Sequence, residues 1–94
     1  MTNAYGPREW VLDTTGTITV MKVRVDRMEW VPNAADDDLL VSNTAGDKIW
    51  EVTNALVGGL AGKESISFGE GGHDVEGFVL TTLTQGGKLY VWIK

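Results

Sequence analysis

Residues 17–31 constrain the fold more than any other part of the chain. Ile18 and Val20 share one parity, Val23 and Val25 share the other, and Met28 and Trp30 return to the first. Apolar residues at every second position mark a strand with one buried face. The β-branched and aromatic types here fit a pleated surface, and no helix-capping pattern opens the segment. Strict alternation keeps a single parity, so the two switches require two irregularities. One lies near Met21-Lys22 and the other near Asp26-Arg27. Each is a bulge, or the point where the strand passes from one sheet to another.

The rest of the chain reads the same way. Shorter extended segments cover residues 8–12, 39–42, 48–53, 63–68, 74–84 and 88–94. Turn signals divide them: Asp13-Thr14-Thr15-Gly16, Pro32 to Asp36, Asn43 to Asp47, Gly69-Glu70-Gly71-Gly72 and Gln85-Gly86-Gly87. Gly46 suits a left-handed position in the hairpin between residues 39–42 and 48–53. Residues 54–62 read as a loop that tucks apolar side chains under the sheet. Residues 1–7 are polar and end at the Gly6-Pro7 breaker, which predicts a flexible N-terminal arm. With 94 residues the chain has room for one domain. The expectation is all-β: a small antiparallel β-sandwich, or failing that a partly closed barrel, of about seven strands.

Composition narrows the chemistry. Cys is absent, which removes disulfides and thiolate metal sites. The single His, His73, cannot build a multi-His zinc site, and the reading includes no metal and no cofactor. A formal net charge of -5 and a pI near 4.6 argue against a nucleic-acid partner, because Lys and Arg must replace phosphate counterions. The basic run from Lys22 to Arg27 alternates with acids and reads as a solvated strand face. No apolar run approaches the roughly 20 residues that span a bilayer as a helix, so no membrane partner is expected. The N-terminus lacks the basic and apolar regions of a signal peptide, which predicts synthesis without Sec export.

Catalytic constellations are thin. His73, Asp74 and Ser65 or Ser67 can be drawn as a triad on paper. Neighbouring residues in a strand face opposite ways, so Asp74 is a poor orienter for His73, and a solvent-facing loop His is the plainer reading. Among 13 acids, carboxylate pairs arise by chance, and so small a domain leaves little room for a cleft. Asp36-Asp37-Asp38 offers clustered oxygens for Ca²⁺ but lacks the EF-hand spacing; a solvated turn guarding a strand end is the simpler account. The glycines at 69–72 match neither a P-loop nor a dinucleotide fingerprint. No catalytic residue is assigned, and the expectation is a non-enzymatic binding module.

The closing strand points the same way. Leu89, Val91 and Ile93 lie on one face; Tyr90 and Trp92 lie on the other. Apolar residues on both faces imply burial on both sides, inside the fold or against a partner. Trp30 and Trp50 read as core, while Trp10 and Trp92 are balanced between core and interface. The candidate interface is Tyr5, Arg8, Trp10, Leu89, Tyr90, Val91, Trp92 and Ile93. The competing use for exposed aromatics is stacking on a sugar.

Two stretches carry a family resemblance. One is Met28-Glu29-Trp30-Val31 followed by an Ala- and Asp-rich loop and the segment Leu39 to Glu51, with its Asn-Thr-Ala-Gly hairpin ending in Trp50. The other runs from Gly77 to Ile93 and closes on Leu89-Tyr90-Val91-Trp92. Together they cover about two-thirds of the chain and resemble small all-β structural proteins of tailed bacteriophages. The resemblance implies a virion protein made in the host cytoplasm. Its implied role is capsid cement or decoration, bound across neighbouring major capsid protein subunits; the alternatives are a tail or head–tail accessory part, or a carbohydrate- or receptor-binding β-sandwich module of a tail fibre. It also implies a homo-oligomer, a trimer before other states, and supplies no catalytic residue.

Overall fold

The computed structural model describes residues 3–33, 37–53, 64–84 and 86–94. The described residues form eight strands and no helix: β1 (Ala4–Tyr5), β2 (Glu9–Leu12), β3 (Gly16–Val31), β4 (Asp38–Ser42), β5 (Lys48–Thr53), β6 (Glu64–Ser67), β7 (His73–Leu83) and β8 (Lys88–Ile93). They pair antiparallel in the order β1-β2-β8-β3-β7-β4-β5, with β6 added to β3. All seven strands expected from the alternation are present, with ends shifted by a residue or so. The eighth, β1, comes from the segment expected to be a free arm. Ala4 pairs with Val11 and Tyr5 with Trp10. The Asn3 side chain accepts the N–H groups of Asp13 at 2.8 Å and Thr14 at 2.9 Å. Gly6-Pro7 does not release the segment. It turns a hairpin, in which the Gly6 N–H donates to the Glu9 carbonyl at 2.7 Å.

β3 belongs to both halves of the molecule. Its first part, Gly16 to Val25, pairs with β7. From Val25 onward it pairs with β8 on one edge and β6 on the other. Register shifts fall between Thr17 and Thr19, between Thr19 and Lys22, and between Val25 and Arg27. The last two are the irregularities demanded by the parity switches. They bend the sheet until its halves face each other. Trp10 of β2 meets Phe78 of β7 edge-on at 5.6 Å, although β2 and β7 are not neighbours in the sheet. The result is one sheet folded over itself in the manner of a sandwich and not closed into a barrel.

Among the described residues, eleven apolar ones fill the space between the halves, including Leu12, Val25, Met28, Trp30, Val41, Phe78, Leu89 and Val91, each 0% exposed. Trp10 and Trp50 are half-buried against this core. The bulge in β3 has a price in exposed apolar surface. Val20 and Met21 fall between paired Thr19 and Lys22, and are 74% and 72% exposed. Parity alone grouped Val20 with half-buried Ile18; the unpaired bulge turns it outward instead.

β7 carries an irregularity of its own. Gly77 adopts φ +85°, a conformation open to glycine and strained for other residues. A Cβ there would overlap the Thr44 side chain. Thr44 donates its N–H at 3.2 Å and its hydroxyl at 2.8 Å to the Glu76 carbonyl, which fixes the β4–β5 hairpin tip on the bulge. Because of this kink Val75 and Phe78, three residues apart, are both buried. Residues 54–62 lie outside the described residues, as does Asp36. Asp37 is not solvated but 7% exposed, and its Oδ2 accepts the Asn33 N–H at 2.8 Å.

Candidate interaction surface

The outward side of β2, β8, β3 and β6 is ordered by the pairing register. One row across the strands reads Glu9, Trp92, Arg27, Ser67; the next reads Val11, Tyr90, Glu29, Ser65. Tyr90 and Trp92 therefore stand side by side at the centre, with rings stacked at 6.3 Å and 24°. The Arg27 guanidinium lies 4.1 Å from the Trp92 ring centroid, where the negative ring face attracts a cation. Both aromatics are half-buried, covered by side chains of their own face. This surface sets two half-buried aromatic rings beside the Arg27 cation, with the carboxylates of Glu9 and Glu29 in the same two rows.

Next to it the β1–β2 hairpin encloses an open hollow of about 680 Å³, lined by Ala4, Tyr5, Gly6, Pro7, Arg8, Glu9 and Val11. Tyr5 stands 55% exposed at its side, resting edge-on against Trp10 at 5.9 Å. The Gly6-Pro7 turn gives the hollow its shape.

The residues expected at an interface divide. Tyr5 and Arg8 line the hollow, and Tyr90 and Trp92 lie on the outward face. Trp10 points inward, between Tyr5 and Phe78. Ile93 is half-buried against the core. Leu89 and Val91 are 0% exposed and leave the interface set. The reason is the pleat: β8 lies inside the sheet between β2 and β3, so its alternate side chains go to the chain's own core. The same surface also carries Arg27, Ala4, Pro7 and Val11, which the sequence reading did not single out. Arg27 sat in a basic run read as a solvated face. Ala4 and Pro7 were assigned to an arm, and only the register could have brought Val11 beside them.

The paper triad is not assembled. His73 stacks on Phe68 at 5.1 Å. The Asp74 carboxylate receives Arg24 Nε at 2.8 Å and lies 3.5 Å from Lys22 Nζ. The Arg24 hydrogen bond holds the Asp74 carboxyl below the usual carboxylate range, and Asp74 in turn raises Arg24. Among the described residues no three His, Cys, Asp or Glu side chains converge as metal ligands. No protein-family model matches this chain, and neither a curated protein nor a solved structure shows significant similarity to it.

Proposed function

We propose that this chain is a non-catalytic structural protein of a phage particle that docks on neighbouring capsid subunits and ties them together as a cement. The observation that carries the reading is the outward Tyr90–Trp92 pair with Arg27 beside it, adjoining an apolar hollow. Interfaces are built this way, with aromatic and Arg anchors near the centre and polar groups at the rim. The family resemblance of the Leu39–Glu51 and Gly77–Ile93 stretches supports a virion setting. A protein that binds the assembled shell and not its loose subunits stabilises the shell by mass action.

Sugar binding is the weaker use of the same aromatics. Stacking on a sugar needs a bare ring face, and Arg27 occupies one face of Trp92. The test is to purify particles, separate heads from tails and weigh the components by mass spectrometry. The chain should accompany heads at a fixed copy number, and shells lacking it should open at lower temperature. Recovery with tails would move it to the tail. Absence from particles, with abundant chain left in the cytosol, would reject the virion reading.

A further inference from the structure

The cations of the described residues divide by whether their own chain answers them. Lys22, Arg24, Lys48 and Lys94 each meet a carboxylate of the same chain. Among the described residues Arg8, Arg27 and Lys88 form no such pair. Arg27 and Lys88 both stand exposed on the outward side of β3 and β8, the side of Tyr90 and Trp92. Of the acids there, Glu29 has a partner of its own, and Glu9 lies across Trp92 from Arg27. This face therefore carries unpaired positive charge on a chain whose formal net charge is -5. Arg27 is also held in place. Its guanidinium lies 4.1 Å from the Trp92 ring centroid, and among the described residues none of its N–H groups is hydrogen-bonded. A guanidinium presents those donors in a planar fork that fits both oxygens of a carboxylate. The ring contact positions the fork before a partner arrives, so less side-chain freedom is lost on binding. Ser67 stands across the strands from Arg27. Its oxygen accepts the Gly69 N–H at 3.5 Å, and its O–H remains a donor.

We propose that this face receives an acidic segment of a partner protein, with one Asp or Glu carboxylate of that segment seated on the Arg27 fork and the Ser67 hydroxyl, beside the Trp92 ring. Lys88 lies on the same side of β8 as Trp92, about 13 Å along the strand at roughly 3.3 Å per residue. A second acid of an extended segment reaches it. The charges select the partner and set its orientation more than they add affinity. A nucleic acid is the poorer occupant, because the net charge of -5 opposes a polyanion at long range. The inference rests on the docking reading above and names the chemistry of what docks.

The test titrates three short capped peptides into the isotope-labelled full chain: Val alternating with Glu, with Gln or with Lys. The Arg27 side-chain N–H and Trp92 indole N–H signals in the NMR spectrum report the contact. The Val–Glu peptide should shift both signals and bind at least about tenfold more tightly than the Val–Gln peptide. Arg27→Gln should abolish that preference. Arg27→Lys, which keeps the charge and loses the fork, should recover only part of it. Arg27→Glu should reverse it in favour of the Val–Lys peptide. Arg27 is exposed, and near-ultraviolet circular dichroism checks that each variant keeps its packing. Equal binding of the Val–Glu and Val–Gln peptides, or an Arg27→Gln chain that keeps the preference, would overturn the proposal. So would sodium acetate or an oligothymidylate that matches the Val–Glu peptide at equal charge concentration. Presence in particles is scored separately. Selective binding of the Val–Glu peptide by a chain absent from particles would remove the cement reading and keep this contact. Full copy number of the Arg27→Gln chain on heads, with no preference among the peptides in the parent, would do the reverse.

Discussion

The two faces of β8 differ in fate though not in hydrophobicity. Leu89 and Val91 are wholly buried, while Tyr90 and Trp92, their neighbours on the same strand, are half-covered on the outside. The backbone, the pairing strands and the apolar character are shared. What differs is the layer opposite. The inward face belongs to one core cluster with Leu39 and Val41 of β4 and Phe78 and Leu80 of β7, whereas on the outward face the Arg27 guanidinium lies over the Trp92 ring. Apolarity alone therefore does not say which residues a chain buries for itself and which it leaves for contact. The topology decides, by placing β8 between β2 and β3 in a sheet folded one way and not the other.

The comparison breaks most directly at Leu89. Leu89→Ala should cost about 2–5 kcal/mol, the range for emptying a fully buried Leu site, read as a lower urea midpoint with an unchanged slope. A loss under about 1 kcal/mol would mean the inward face is not the closed core described. Gly77→Ala tests whether the kink in β7 is needed to turn Val75 and Phe78 inward together. Its left-handed backbone and the overlap with Thr44 predict a loss of about 1–3 kcal/mol. The Thr44→Ala partner should soften that loss, since the obstructing methyl and hydroxyl leave with it.

The outward face should respond differently. Arg27→Ala removes the cation over Trp92 and should lower stability by only about 0.5–1 kcal/mol. Its larger effect belongs in docking, where the same change should weaken attachment to shells. A stability loss as large as that at Leu89, with docking intact, would erase the distinction between the two faces.

Much of this was legible before any coordinates, for a definite physical reason. Side chains of a strand alternate, so the parity switches at Met21-Lys22 and Asp26-Arg27 had to become register shifts, and they did. Asn43 and Gly46 likewise dictated the β4–β5 turn: the Asn43 side chain accepts the N–H of Ala45 at 3.0 Å and of Asp47 at 2.9 Å, and Gly46 takes φ +90°. The surface was less legible. A two-residue strand such as β1 leaves no alternation to read, and Asn3 holds it through a side-chain bond that no pattern announces. Gly77 did carry a signal, since an isolated Gly within a strand marks a bulge. Whether Tyr90 or Leu89 faces outward depends on which way the sheet folds, which is a property of long-range pairing.

The smallest effect is electrostatic and lies on the other half of the sheet, where β3 and β7 present charge in place of rings. Asp74 is held below its ordinary value of 3.8 by the Arg24 hydrogen bond, with Lys22 assisting. A carboxyl depressed in the folded state binds fewer protons there than in the unfolded chain. Its contribution is therefore complete above the unfolded value, near pH 4, and is lost as the pH falls through the folded one. Asp74→Asn should lower stability slightly at neutral pH, where the contribution is complete, and by less below about pH 4, so that its acid limb is the flatter one. Salt near 1 M, where screening acts over about 3 Å, should reduce the difference between parent and variant further. Leu89→Ala should show no such dependence on pH or salt, because what it removes is a packed hydrocarbon and not a charge. Parallel acid limbs for the parent and Asp74→Asn would mean that the Arg24–Asp74 contact, close as it is at 2.8 Å, adds nothing to the folded state that water does not already supply.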